Sequence, residues 1–219
     1  MSYQVLGISG SPVKEGNVET FLQKAIESAP HRDFSYDIVN LSALKVQDCI
    51  HCNFCLSKQT AGRYCALKDD AQAIFEKAEA ADIIILASPV YFMRTSGRMA
   101  SLIDRFRVFV YGNVAGGRLR DKIGVSLAVA WRRHGGLETT HLSHLYAFMA
   151  LQMIPAGAHG SVSPLGISVL SSMHGEGAFE KDVRLGIDYD EAGLDSAKIA
   201  MRRAVQLVRL IKKSHPHGK

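Results

Sequence analysis

The stretch YQVLGISGSPVKEGN, residues 3–17, runs from a short apolar segment into a loop of glycine and serine. Residues 3–8, bounded by that loop, read as a buried strand. After the loop the period changes. Val18, Phe21, Leu22, Ala25 and Ile26 fall at helical spacing over residues 18–28, and Asn17 reads as the N-cap. In the loop itself, small hydroxyl residues and glycines let backbone N–H groups point into a concavity, and the helix N-terminus adds partial positive charge. This suits a phosphate. The loop matches neither GxGxxG nor the Walker A pattern.

The alternation continues along the chain. Strands are expected over residues 34–41, 82–87 (DIIILA), 122–129 and 153–158. Helices are expected over 69–81, with Asp69 and Asp70 in the first turn, over 97–110, with Met99, Leu102, Ile103 and Phe106 on one face, and over 137–151 and 195–213. Continuously apolar strands alternating with helices imply a parallel sheet covered on both faces. The reading is a single domain over residues 1–219, with a cysteine-rich insertion at about 48–68 and a long loop at about 159–194. A loop of that length in a compact domain is usually functional or an oligomer contact. His215 and His217 fall in a tail expected to fray.

Composition bounds the class. At 47% hydrophobic and 21% charged residues over 219 positions, the chain can build its core without cysteine staples. The N-terminus shows no basic segment followed by an apolar run, and IIILASPVYFM is about half of a membrane span. The expectation is a soluble, cytoplasmic protein with no membrane insertion. The net charge of +5 gathers partly in residues 94–107 and 202–213. No recognised nucleic-acid motif accompanies it, so no nucleic-acid partner is expected, and a basic pocket for phosphorylated ligands or an acidic partner accounts for the charge.

In such sheets ligands bind beyond the carboxyl ends of the strands. The loop after the third strand holds Pro89, Val90, Tyr91, Phe92 and Met93, an aromatic cluster suited to a flat, partly apolar ring or to a core or dimer contact. The loop after the fourth holds Trp131, the only tryptophan, then Arg132, Arg133, His134, Gly135 and Gly136. The glycines allow close backbone approach and the arginines attract phosphate. A lone loop histidine such as His134 is more often solvated than catalytic.

All four cysteines lie in DCIHCNFCLSKQTAGRYC, residues 48–65, spaced Cys49-x2-Cys52-x2-Cys55-x9-Cys65. In a reducing compartment, clustered cysteines bind metal or do redox chemistry more often than they form disulfides. Cysteines at every third position aim several thiolates at one centre, as in iron–sulfur ligation. The ferredoxin run has a shorter last gap and a proline after the fourth cysteine, whereas Ala66 follows Cys65. Three readings stand on shape alone: an iron–sulfur cluster, a four-thiolate zinc, or a bare thiol cluster.

Together, the order GISGSP…GN, CxxCxxC…C, DD, ADIIILASPVY, LIDR and GGLE resembles the NADPH-dependent FMN reductase superfamily and, within it, the iron–sulfur flavoproteins. The resemblance covers roughly residues 3–158. It implies a flavodoxin-like, doubly wound, five-stranded parallel sheet of order 2-1-3-4-5, with FMN at the strand ends. The FMN phosphate is expected at Ser9, Ser11, Lys14 and Asn17, with the backbone of Val18 and Glu19, and Pro12 belongs to the same loop. The isoalloxazine ring is expected along Pro89, Val90, Tyr91, Phe92 and Met93, with Ala130, Trp131, His134, Gly135 and Gly136 on its far side. The resemblance also implies a [4Fe–4S] cluster on Cys49, Cys52, Cys55 and Cys65, and a homodimer or homotetramer. The expected activity is an FMN-dependent oxidoreductase. It would take electrons from NAD(P)H or a ferredoxin-type donor and pass them to a quinone or other acceptor. The competing readings are an electron carrier without turnover and a zinc-stabilised binding protein on the same fold.

Overall fold

The computed structural model describes residues 2–30, 34–178, 181 and 183–214. The tail with His215 and His217 lies outside the described residues. Strands β1 (Tyr3–Ser9), β2 (Phe34–Asn40), β3 (Ile83–Pro89) and β4 (Ile123–Ala130) pair in parallel in the order β2-β1-β3-β4. Period-two alternation sends successive side chains to opposite faces. Val5, Ile83, Ile85, Ile123 and Val125 pack on one face beneath α1 (Asn17–Glu27) and α7 (Glu191–Ser214). Leu6, Ile8, Ile84 and Leu86 pack on the other, beneath α3 (Ala71–Ala80), α4 (Gly97–Arg105) and α5 (Arg107–Val110). Two short or half-buried elements complete this set: α2 (Phe54–Ser57) in the cysteine segment and α6 (Leu137–Ala150) after β4. The helices on both faces make this the flavodoxin-like architecture expected. Among the described residues no helix is long and apolar enough to cross a membrane.

The fifth sheet position departs from expectation. The strand expected over 153–158 is reduced to β5 (Ile154–Pro155), paired with Ile123 and Gly124 at the start of β4. A sixth strand, β6 (Ile167–Leu170), takes the same edge further along and pairs with Leu127 to Ala130. It arises inside the segment read as loop, so that reading is corrected. Four residues with only Ile167, Val169 and Leu170 apolar are too short for a legible period.

Two local expectations also change. The helix expected over 97–110 breaks at Phe106, which is the C-cap of α4 and the N-cap of α5. Gly16, not Asn17, is the N-cap of α1. Asn17 is instead turned toward the C-terminal segment, where its Oδ1 accepts from Ile187 N–H at 3.3 Å.

At one position, absence of a side chain is what lets a helix dock on the sheet. A Cβ on Gly124 would lie 2.6 Å from the Phe148 ring of α6. Gly124→Ala should therefore cost about 1–3 kcal/mol by overpacking, read as a lower urea midpoint with unchanged m-value.

Candidate functional site

The carboxyl ends of β1, β3 and β4 open into a crevice of about 280 Å³. One wall is the 11–18 loop. Ser11 is buried and its Oγ accepts from Val13 N–H at 3.1 Å, closing a tight turn. Glu15 adopts a left-handed φ of 50°. Its N–H donates to Glu19 Oε2 at 2.7 Å, and the same oxygen accepts from Asn40 Nδ2 at 2.6 Å. Ser11, Lys14, Asn17 and Val18, the residues expected around a phosphate, line the crevice. Ser9 lies behind them, fully buried, its Oγ accepting from Ser11 N–H at 3.4 Å. Pro12 is exposed and outside the lining, and the Glu19 carboxylate is spent on holding the loop.

The opposite wall comes from Pro89, Val90, Tyr91 and Trp131. Phe92 and Met93 are not in it. Tyr91 and Arg94 pair across a two-residue turn, which forces Phe92 (φ 47°) and Met93 (φ 58°) into the left-handed region. Left-handed backbone is costly for such residues. The turn leaves Phe92 100% exposed and outside the crevice lining. Met93 packs against Gly136, whose φ of 105° and missing side chain admit it: a Cβ there would sit 2.4 Å from Met93 Cα. Thr139 donates to the Met93 carbonyl and clamps the turn to α6.

On the far side, Ala130 is buried and Gly135 closes a turn onto the Arg132 carbonyl at 3.0 Å. His134 points elsewhere, into a cavity of about 740 Å³ between α6, β6 and the 188–192 segment. That larger cavity borders the ends of β4 and β6, whereas the smaller crevice lies at the ends of β1 and β3, where the strand order reverses, and is the one the topology selects. Sequence reading missed Ser171, Arg184 and Leu185, which complete the crevice from the segment after β6. A basic residue in an unpatterned loop carries no signal of its own.

A buried hydrogen-bonded chain runs from Thr95 through α6 and β4 to β6. Thr95 Oγ1 meets His144 Nε2 at 3.0 Å, and His144 Nδ1 meets Ser126 Oγ at 2.8 Å. Ser126 Oγ meets His141 Nδ1 at 2.7 Å, and His141 Nε2 meets Ser168 Oγ at 2.8 Å. Burial pushes His141 down to about 4 and His144 to about 3, the latter helped by His141. Both imidazoles are neutral at pH 7.

The four cysteines, all free, line one small cavity. Left-handed residues His51 (φ 51°) and Asn53 (φ 57°) coil the chain so that Cys49, Cys52 and Cys55 turn to the same side. The nine-residue gap folds back on itself. Thr60 and Arg63 exchange backbone hydrogen bonds of 3.1 and 3.0 Å around Gly62 (φ 74°), which returns Cys65 to the cavity. Gln59 pins this hairpin, donating to the Tyr64 and Val108 carbonyls and accepting from Val114 and Ala115 N–H groups. Burial raises the Cys55 thiol above its ordinary range, against the pull of Arg107. Among the described residues no three metal-binding side chains are gathered around a single ion's position.

The family model for NADPH-dependent FMN reductase matches residues 3–163. The chain belongs to the NADPH-dependent FMN reductase family. An iron–sulfur flavoprotein of Methanocaldococcus jannaschii is 31% identical over 96% of this chain and 100% of its own length. Another, from Methanosarcina thermophila, is 37% identical over 63% of this chain and 68% of its own. These relatives place the chain in the iron–sulfur flavoprotein branch of the FMN reductase family, an oxidoreductase family. The fold is shared with RosB, whose crystal structure holds 8-demethyl-8-formylriboflavin-5'-phosphate. That match has a TM-score of 0.68 at 12% identity, over 98% of this chain and 82% of RosB.

Proposed function

We propose that this FMN reductase family member binds FMN in the strand-end crevice and carries a [4Fe–4S] cluster on Cys49, Cys52, Cys55 and Cys65. It would pass electrons from NAD(P)H or a ferredoxin-type donor to a quinone or other acceptor. The observation that carries the reading is the crevice itself. A turn of backbone N–H groups at the start of α1, with Lys14 and Arg184 on its rim, faces Tyr91 and Trp131 across a gap. Anionic phosphate is favoured at a helix N-terminus beside two cations. A flat ring is favoured against aromatic and proline side chains.

FMN, when bound, supplies the hydride and one-electron chemistry. The chain's part is to hold and orient. Glu19 keeps the phosphate loop in shape, Thr139 and Gly136 fix the 91–94 turn, and Trp131 forms part of the opposite wall. The thiolate donor set suits iron and sulfide, and Arg105 and Arg107 on the same cavity offset the negative charge that four thiolates bring. A homodimer or homotetramer is part of the proposal, supported by the fully exposed Phe92 beside the crevice.

The deciding measurement is the visible spectrum of anaerobically purified protein, with flavin, iron and sulfide counts. One FMN and four irons per chain are expected. Zinc with no flavin would overturn the reading. Turnover of NADH or NADPH with a quinone is expected. Rapid reduction by ferredoxin without such turnover would make the protein a carrier. Lys14→Glu, on an exposed rim position, should weaken FMN binding about tenfold, measured by fluorescence titration of the flavin-free protein.

A further inference from the structure

We infer that Arg105 and Arg107 tune the reduction potential of the centre held by the four cysteines, by donating their Nε–H groups to its sulfurs. The inference rests on the cluster proposed above. Among the described residues three buried side-chain polar atoms lack a hydrogen-bond partner: Ser42 Oγ, Arg105 Nε and Arg107 Nε. Two of the three belong to arginines that line the cysteine cavity. A buried donor without an acceptor costs about 1–3 kcal/mol, so two at one cavity point to a common missing acceptor.

The rest of each guanidinium is committed. Arg105, 1% exposed, makes a two-pronged ion pair with the fully buried Asp69 carboxylate, at 2.9 and 3.0 Å. Its Nη1 also donates to the Gln47 carbonyl at 2.9 Å. Asp69 is not part of the cavity lining, whereas Arg105 is, and its guanidinium already comes within hydrogen-bonding reach of the Cys65 sulfur, the direction in which the open Nε edge can donate. Arg107 is held from the loop side: Nη1 meets His51 Nδ1 at 3.0 Å and Nη2 donates to Asn53 Oδ1 at 3.1 Å. Both Nε–H groups are thus held in place by their own terminal nitrogens, on a cavity that all four cysteine side chains line. The terminal nitrogens bind oxygen and imidazole already, so the Nε edges are what remains for the centre.

Hydrogen bonds and positive charge at cluster sulfurs favour the reduced state, which carries one more negative charge. One electron enters and no bond is made or broken.

The test is the midpoint potential of the cluster in anaerobically purified protein, titrated with dithionite and followed by electron paramagnetic resonance, with iron and sulfide counted in each sample. Arg107→Gln should lower the equilibrium for reduction at least about tenfold, about 59 mV for one electron. Arg105→Gln leaves Asp69 buried alone, so it is paired with Asp69→Asn to keep the fold, and the same shift is expected. Full iron in both variants with reduction equilibria lowered by less than about tenfold would overturn the inference. Wild-type protein with flavin but without iron would overturn the cluster reading instead, and the iron count tells these two failures apart.

Discussion

Asp69→Ala should lower folding stability by about 3–5 kcal/mol, the cost of leaving a buried guanidinium without its partner. Burial alone would raise the Asp69 carboxyl. The Arg105 hydrogen bonds and the Gln47 and Ala71 N–H groups hold it below the ordinary carboxylate range instead. The carboxylate also accepts from Gln47 N–H at 2.9 Å, so one side chain ties the start of the cysteine segment to α3 and α4. Denaturant midpoints measure the loss. The double variant Asp69→Ala, Arg105→Met should recover most of it, because a buried pair replaced by apolar side chains is often nearly neutral. A double variant as unstable as the single would show that packing, not charge, sets the cost.

Stability should also fall by about 4 kcal/mol between pH 7 and pH 5, about 2 from each of two histidines. His141 and His144 are neutral in the folded protein, with burial holding them to about 4 and about 3. In the unfolded chain they take protons near 6.5. Their contribution is therefore complete above pH 6.5. It shrinks as pH falls below that value, and continues to shrink until about pH 4 for His141 and about pH 3 for His144. Urea midpoints at the two pH values measure the slope. His141→Gln with His144→Gln should remove it, since the amides take no proton in this range. A slope that survives in that variant would assign it to other groups.

Much of the fold was legible because its signals are local. Four apolar runs specify β1 to β4 and their parallel crossovers, and these appear at the expected places with small shifts at the ends, while the fifth is cut to two residues. The 11–18 side of the crevice was legible for the same reason: Ser11, Lys14, Asn17 and Val18 lie close together in sequence, directly after β1. The aromatic side was half legible. Phe92 and Met93 carry the composition of a ring-binding wall, and the left-handed turn at their backbone leaves them outside the lining of the crevice. His134 lines the larger cavity instead, because a loop's direction depends on what it packs against, here the Gly175 carbonyl that accepts from Arg133 N–H at 2.9 Å.

The sequence by itself determined the order of elements, the two apolar faces of the sheet and the gathering of four thiols in one insertion. Each follows from periodicity or spacing, which neighbours along the chain express. Tertiary structure alone decided the division of the fifth sheet position between β5 and β6, because an edge shared by a two-residue and a four-residue strand has no period to read. It also decided the Arg105–Asp69 pair, the His141–Ser126–His144 chain and the return of Cys65 to its cavity. Those contacts join residues from separate elements, and their energies depend on burial that exists only once the chain has closed around them.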